Sequence, residues 1–318
     1  KQKIYYIMGN LNQISGNNEE ALLNYKKAGE IKGSNQERED ILLNQIEIYV
    51  NEGHYDQAEI AARSLKMISP DVFDYYHLLF QILLQRHKFN EAKEVLEEAK
   101  SYFSNKENQI EMIFDQALLD INIADRNHDD TYYQKAIQQL DTLNSTTNEK
   151  QIIYEKEITK SEILIRLNKI DDAIQLLKLI VGDEDVENID MIERAQLTIM
   201  NCYYTKKDYM STIVYARKMK ESKNLMIKHN GYYFEALATK EMSKIDKTKS
   251  DEARNLYQIA IAYFRNASAS NPNDIVALIY RAKSYCDIAS YNKALEIARI
   301  LPDEAQKMIE EYIKEKGG

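Results

Sequence analysis

The sequence predicts an all-α protein built from tandem pairs of helices. The 318 residues include only 3 Pro and 9 Gly, so residues that interrupt helices are rare. A single hydrophobic core seldom grows to this length, which favours several domains or a repeated unit. A short phrase also recurs along the chain, in which an aromatic or large apolar residue precedes a small residue by three positions. Together these observations favour a helical repeat array.

The recurring phrase marks the start of the second helix in each predicted pair. Its clear copies carry Ala58, Ala92, Ala136, Ala173, Ala260 and Ala294. Looser copies place Ala21 and Thr212 at the same position. Two antiparallel helices that pack closely need a small residue where their backbones approach, and Gly9 with Ala21 meets that need in the first pair. Pro70 and Pro272 cannot continue a helix and predict a stop between pairs.

This pattern resembles the tetratricopeptide repeat family over nearly the whole chain. The best copies keep the small–aromatic–small spacing of that family, namely Ala260, Phe264 and Ala267, and Ala21, Tyr25 and Ala28. The resemblance implies an α–α superhelix, a right-handed solenoid of about eight helix pairs. Thr212 departs from the pattern, and so do the long fourth and seventh units.

The predicted solenoid is one domain over 1–318. Its pairs are expected at about 2–35, 39–72, 73–106, 109–149, 152–188, 191–226, 228–273 and 275–301. A capping helix is predicted at 302–316, with a polar outer side and an inner side that carries Ala305, Met308, Ile309 and Ile313. The chain begins without Met, so we expect it to be a fragment of a longer protein. Two lone thiols, Cys202 and Cys286, fit a reducing compartment, and we expect a cytoplasmic location.

Composition and motifs count against several functions. The net charge is −9, and no basic run is interleaved with aromatic residues, so nucleic-acid binding is not expected. No apolar stretch approaches the roughly 20 residues of a membrane span. Phosphate-binding loops, metalloprotease motifs and nucleophile motifs are all missing, and the five histidines are scattered. We therefore expect no enzyme activity, no cofactor and no metal site.

The resemblance implies that the first helices of successive pairs line a concave groove. The residues predicted to bind a partner in that groove are Asn10, Asn44, Glu47, Asn51, Asp74, His77, Gln81 and Gln85. Further candidates on these helices are Tyr6, Gln13, Asp115, Gln116, Glu155, Thr159, Glu162, Asn201, Lys283 and Asp287. Amide side chains both donate and accept hydrogen bonds, so they suit the backbone of an extended peptide. The expected partner is a protein or peptide, polar or basic in character.

Three functions stay open from the sequence. The first is a scaffold that binds a partner protein in the groove. The second is a regulatory or localising array within a larger signalling protein, such as a bacterial kinase. The third is a peptide-sensing regulator.

One more specific function is disfavoured. Some tetratricopeptide proteins grip the terminal carboxylate of a chaperone tail with cations and two asparagines. Asn10 and Asn44 match those asparagines, but Tyr6, Asp74 and Leu78 stand where the cations would be.

Overall fold

The computed structural model describes residues 1–183, 188–243, 250–270 and 275–317, and every regular element among them is helical. The chain divides into two compact units, unit 1 at 1–148 and unit 2 at 149–318. Unit 1 contains α1 (Gln2–Ile14), α2 (Asn18–Gly29), α3 (Asn35–Asn51), α4 (Tyr55–Ile68), α5 (Phe73–Gln85), α6 (Phe89–Tyr102), α7 (Lys106–Asn127), α8 (Asp130–Asp141) and α9 (Leu143–Thr146). Unit 2 contains α10 (Lys150–Arg166), α11 (Ile170–Val181), α12 (Ile189–Thr205), α13 (Tyr209–Met219), α14 (Leu225–Ser243), α15 (Ser250–Ser270), α16 (Ile275–Asp287), α17 (Tyr291–Ala298) and α18 (Asp303–Glu315).

The predicted fold class is confirmed. Eight helix pairs follow one another from α1–α2 to α16–α17, and α18 comes last. Pro272 and the basic loop at 244–249 lie outside the described residues. Among the described helices, none combines the length and the apolar character that crossing a bilayer requires.

The seven turns inside pairs that the structure describes share one backbone geometry. A single residue in the left-handed region follows the first helix, and the next amide N–H bonds back to the carbonyl five residues earlier, as Lys88 N does to Leu83 O at 2.9 Å. Glycine fills this position at Gly16 and Gly53. Elsewhere the position is held by His87, His128, Asn168, Lys207 and Ala289. His87 and His128 are therefore turn residues, and His54 lies in the turn before α4 as its N-cap residue.

Small residues lie where the two helices of a pair cross. Ala21, Ala58 and Ala92 are fully buried. In the first pair the approach is so close that a Cβ on Gly9 would lie 2.6 Å from Cδ1 of Tyr25. Thr212 is also buried, and its hydroxyl donates to the backbone oxygen of Asp208 at 2.8 Å. This internal bond satisfies the hydroxyl, which explains how threonine occupies a position that favours alanine.

The capping helix α18 is anchored by a buried carboxylate. Ala305, Ile309 and Ile313 pack inward as predicted, but Met308 is exposed, so its assignment to the inner side was wrong. Asp287 at the end of α16 accepts from the Tyr312 hydroxyl at 3.1 Å and lies 3.4 Å from Nζ of Lys316. The cap is thus joined to α16 by charge and hydrogen bonds as well as by apolar packing.

Candidate functional site

In unit 1 the first helices of successive pairs lie side by side. Nδ2 of Asn44 on α3 donates to Oδ1 of Asn10 on α1 at 3.1 Å. The Tyr75 hydroxyl on α5 donates to Oε2 of Glu39 on α3 at 3.0 Å. His77 on α5 contacts Asp115 on α7 through Nδ1 and Oδ2, which are 2.8 Å apart.

We call the surface formed by the predicted binding residues on three of these helices the first-helix face. Its members are Asn10 on α1, Asn44, Glu47 and Asn51 on α3, and Asp74, His77, Gln81 and Gln85 on α5. All of them belong to unit 1, so the candidate site is defined within one unit.

A buried tyrosine organises the α1–α3 end of this face. The Tyr25 hydroxyl donates to Oδ1 of Asn10 at 2.8 Å or to Oε1 of Gln13 at 2.6 Å, and it accepts from Nδ2 of Asn44 at 3.2 Å. Burial raises the pKa of Tyr25 to about 12, and the bond from Asn44 opposes that rise. The phenol therefore stays neutral at physiological pH and fixes the orientation of both asparagines.

Each asparagine uses one side of its amide in this network. Among the hydrogen bonds of the described residues, Asn10 is engaged through Oδ1 and Asn44 through Nδ2. The Asn10 amide thus retains two N–H donors, and the Asn44 amide retains its oxygen acceptor. Both side chains are half-buried at the surface. A donor and an acceptor on adjacent helices match the C=O and N–H groups of an extended peptide.

The α5 end of the face contains a histidine–aspartate pair. His77 Nδ1 donates to Asp115, and His77 Nε2 lies 2.8 Å from the amide nitrogen of Gln81. The hydrogen bond to Asp115 raises the pKa of His77, burial opposes this, and the nearby charges of Glu111 and Asp74 add to the rise. When the ring is protonated, both nitrogens are donors, so Gln81 must turn its amide to present oxygen.

The remaining predicted residues are open to solvent. Asn51, Asp74 and Gln85 are exposed, and Glu47 is exposed while accepting from Nε2 of Gln13 at 3.0 Å. The face therefore presents two carboxylates, Glu47 and Asp74, and several amides. Its exposed charge is negative.

Two further candidates are not available to a partner. Asp115 is only 3% exposed because it is enclosed against His77. Asp287 is buried because it anchors the capping helix. Both were wrongly placed in the groove, because a polar residue on a first helix can equally turn toward the neighbouring helix.

The role of Tyr25 in this network was not predicted from the sequence. We had assigned this tyrosine only to the repeat pattern, where it packs between the helices. The available signal was the spacing, because Asn10 and Asn44, and likewise Gln13 and Glu47, are separated by 34 residues. That spacing brings equivalent side chains together around the tyrosine of the intervening helix.

Two features of the described residues bear on metal binding and on thiol chemistry. No group of three or more His, Cys, Asp or Glu side chains is placed to hold a metal ion within the described ranges. Cys202 and Cys286 are buried, and burial raises the pKa of each thiol to about 11. A thiol with a raised pKa is a poor nucleophile at neutral pH.

Comparisons with known proteins support the fold. No protein-family model and no curated protein matches the chain. Among solved structures, a monomeric mutant of IFIT1 with m7Gppp-AAAA is 14% identical, with a TM-score of 0.51 over 98% of this chain and 72% of that one. A human IFIT1 dimer with PPP-AAAA is 15% identical, with a TM-score of 0.51 over 98% of this chain and 71% of that one.

A third structure, the C-terminal part of a TPR repeat-containing protein from Cytophaga hutchinsonii, is 16% identical. It covers 84% of this chain and 98% of that one, with a TM-score of 0.47. The helical-repeat fold expected from the sequence is confirmed by the helix pairs themselves and by the likeness to the two IFIT1 structures. At these identities the likeness concerns the fold alone.

Proposed function

We propose that this protein is an interaction scaffold that binds an extended, polar or basic segment of a partner protein on the first-helix face. The observation that supports this most strongly is the arrangement of Asn10 and Asn44. They are hydrogen-bonded to each other and to buried Tyr25, yet they keep a donor and an acceptor for a ligand. Preoriented amides bind an extended backbone without first losing rotamer freedom.

The charge of the face indicates the character of the partner. Glu47 and Asp74 are exposed, and no lysine or arginine is among the eight residues of the face. Lysine or arginine side chains of a partner segment would meet these carboxylates. A terminal carboxylate, such as a chaperone tail carries, would be repelled by Asp74.

The same charges argue against a nucleic-acid ligand on this face. The IFIT1 structures contain m7Gppp-AAAA or PPP-AAAA. Phosphate groups need cations for binding, whereas this face offers acidic side chains and neutral amides. We therefore do not extend the IFIT1 ligands to this chain.

A display selection of random twelve-residue peptides on the immobilised chain tests the proposal. We expect enrichment of peptides with Lys or Arg. We expect Asn44→Ala to weaken the best peptide about fivefold, since a hydrogen bond is worth about 1 kcal/mol and a tenfold change corresponds to about 1.4 kcal/mol.

A matched control separates ligand contact from network damage. The two N–H groups of Asn44 are shared among the Tyr6 hydroxyl, Oδ1 of Asn10 and the Tyr25 hydroxyl. Asn44→Ala should therefore also lower the free energy of unfolding, by about 1 kcal/mol. Tyr25→Phe breaks the same network at a fully buried position that no ligand reaches. Because Tyr25 orients both asparagines, Tyr25→Phe should weaken the peptide, but less than Asn44→Ala does. Equal weakening by the two variants would count against direct contact with Asn44, and a selection that yields no peptide would count against the first-helix face as the binding site.

A further inference from the structure

A basic surface lies where α13 is followed by α14. The segment 217–228 contains five lysine or arginine residues and one glutamate, although the whole chain carries a net charge of −9. We call this surface the basic turn, and its cations are Arg217, Lys218, Lys220, Lys223 and Lys228. It belongs to unit 2, whereas the first-helix face belongs to unit 1, so the two surfaces can be tested independently.

Two cations of the basic turn are committed to the fold. Arg217 Nε donates to Oε1 of Glu235 at 2.7 Å, and the Lys220 ammonium group donates to the same carboxylate. Glu235 is buried, and a buried carboxylate is costly unless it is paired. The other three cations of the basic turn form no ion pair among the described residues. Their charges are therefore left for a partner.

Folding alone does not account for all of these cations. Arg217 and Lys218 lie in the last turn of α13, where the helix dipole favours positive charge. Lys223 and Lys228 flank the N-terminus of α14 at Leu225, where the dipole disfavours positive charge. The first turn of α14, which the structure describes in full, contains no acidic residue to offset them. A local conflict of this kind is typical of a functional surface.

Tyrosine rings support two of the lysine side chains. Nζ of Lys218 lies 5.2 Å from the centre of the Tyr215 ring, and Nζ of Lys220 lies 4.7 Å from that of Tyr232. Tyr232 stacks in turn on Tyr263, with ring centres 5.1 Å apart. Cation–π contact restrains the ammonium groups, so less side-chain freedom is lost when an anion binds.

Two exposed apolar side chains lie beside the cations. Val214 is 53% exposed and precedes Lys218 by four residues on α13, and Leu225 is 46% exposed and precedes Lys228 by three on α14. Residues three or four apart share one side of a helix. Each pair therefore offers a positive charge next to an apolar contact, a combination suited to a protein partner.

We propose that the basic turn binds an acidic segment of a partner protein that also carries large apolar side chains. Glutamate or aspartate side chains of the segment would meet Lys218, Lys223 and Lys228. The apolar side chains of the segment would cover Val214 and Leu225. The first-helix face is acidic and the basic turn is not, so the two surfaces would select segments of opposite charge.

A nucleic acid fits this surface less well. Single-stranded nucleic acids bind by stacking their bases on aromatic rings as well as by phosphate contacts. A lysine Nζ lies over Tyr215 and over Tyr232, and each ring also contacts a second tyrosine, Tyr203 or Tyr263. These contacts leave little ring surface for a base. The net charge of −9 would also repel a long polyanion.

The test uses the full chain and a fluorescein-labelled, C-terminally amidated peptide in which Glu-Glu-Leu is repeated four times. We expect saturable binding by fluorescence anisotropy. Lys218→Glu combined with Lys228→Glu should weaken it at least about tenfold, because two attractions become repulsions. Lys26→Glu combined with Lys93→Glu, at exposed lysines of unit 1, changes the net charge equally and should bind within about twofold of the natural chain.

Two further comparisons separate charge from folding and from apolar contact. Lys218→Gln combined with Lys228→Gln places no carboxylate at the end of α13, and it should still weaken binding about threefold. Circular dichroism of both double variants shows whether the helices are intact. A peptide with alanine in place of every leucine should bind at least about threefold more weakly, because it buries less apolar surface.

Three outcomes would overturn the proposal. The first is absence of saturable binding, or equal weakening by the control pair of substitutions in unit 1. The second is tighter binding of a fluorescein-labelled nine-nucleotide oligouridylate, which carries the same eight negative charges as the peptide and would indicate a nucleic-acid site. The third is a dimer of the chain in sedimentation that Lys218→Glu with Lys228→Glu abolishes, which would assign the basic turn to a second copy.

Discussion

Single residues in the left-handed backbone region set the turn inside most helix pairs. Glycine adopts this conformation freely, whereas a residue with a Cβ meets its own carbonyl there. Gly53 has a φ of 75° and no atom within 4 Å of a hypothetical Cβ. Any effect on stability of adding a side chain at position 53 therefore comes from the left-handed backbone conformation alone.

Gly53→Ala should lower the free energy of unfolding by about 1 kcal/mol, the usual cost of the left-handed conformation for alanine. Gly29→Ala is the matched control. Gly29 ends α2 and also has open space around it, but its φ is outside the left-handed region. Alanine should therefore raise the unfolding free energy there by about 0.5 kcal/mol. Urea denaturation of both variants checks the signs, and a loss of stability at both sites would contradict the backbone argument.

The His77–Asp115 pair predicts a pH dependence. A histidine whose pKa is raised in the folded state contributes stability that is fully present below its ordinary pKa of about 6.5 and is lost as the pH rises through the folded value. Asp115→Asn keeps an acceptor for Nδ1 but removes the charge. We expect this substitution to lower the His77 pKa, measured by NMR titration, and to weaken the decline of stability above pH 6.5.

Asp74→Asn serves as the comparison for that titration. Asp74 is exposed and contributes to the His77 pKa only through its charge. Asp74→Asn should therefore lower the His77 pKa less than Asp115→Asn does. Equal shifts from the two variants would show that the charge of Asp115, the hydrogen-bonded partner, has no larger effect on the His77 pKa than the charge of Asp74.

Residue-level function was only partly predictable from the sequence. The spacing of Asn10 and Asn44 identified side chains that do lie on adjacent helices. The same reasoning placed Asp115 and Asp287 in the groove, and both are buried. A helix position gives the direction of a side chain only approximately, so it cannot tell whether a carboxylate meets solvent or a neighbouring helix.

The small residues at the helix crossings determine how closely each pair packs. Ala92 is the first buried residue of α6, and it lies fully buried in the apolar cluster that joins α4, α5 and α6. A larger side chain at this position has no space to occupy.

Ala92→Leu should destabilise the chain by roughly 1–3 kcal/mol through overpacking. Lys93→Leu, at the neighbouring exposed position, is the control and should change stability by less than about 0.5 kcal/mol. Urea denaturation of the two variants measures the difference. If Ala92→Leu changed the stability as little as Lys93→Leu does, the point where the two helices cross would lie elsewhere on α6.

Element-level structure followed well from the sequence because two independent signals agreed. The scarcity of breakers indicated helices, and the recurring small residue indicated where the second helix of each pair begins. Met308 shows where this reasoning stops, since it is exposed beside buried Ile309. Helical periodicity gives the centre of an apolar side, but its width depends on what packs against it.

Within each of the two units, successive helix pairs pack against their neighbours in sequence. This arrangement explains why the first helices of unit 1 present their polar residues together. The existence of such a face could be predicted from the fold resemblance, whereas the hydrogen-bond network that orients Asn10 and Asn44 required the structure.

Site-specific photocrosslinking tests the central claim most directly. A benzophenone amino acid would replace exposed Asn51 on the first-helix face, and in a second variant exposed Lys93 on α6. Each variant would be irradiated with the tightest peptide from the display selection. The proposed function predicts a peptide crosslink at position 51 and none at position 93. A crosslink only at position 93 would contradict it and would place the partner on the second helices instead.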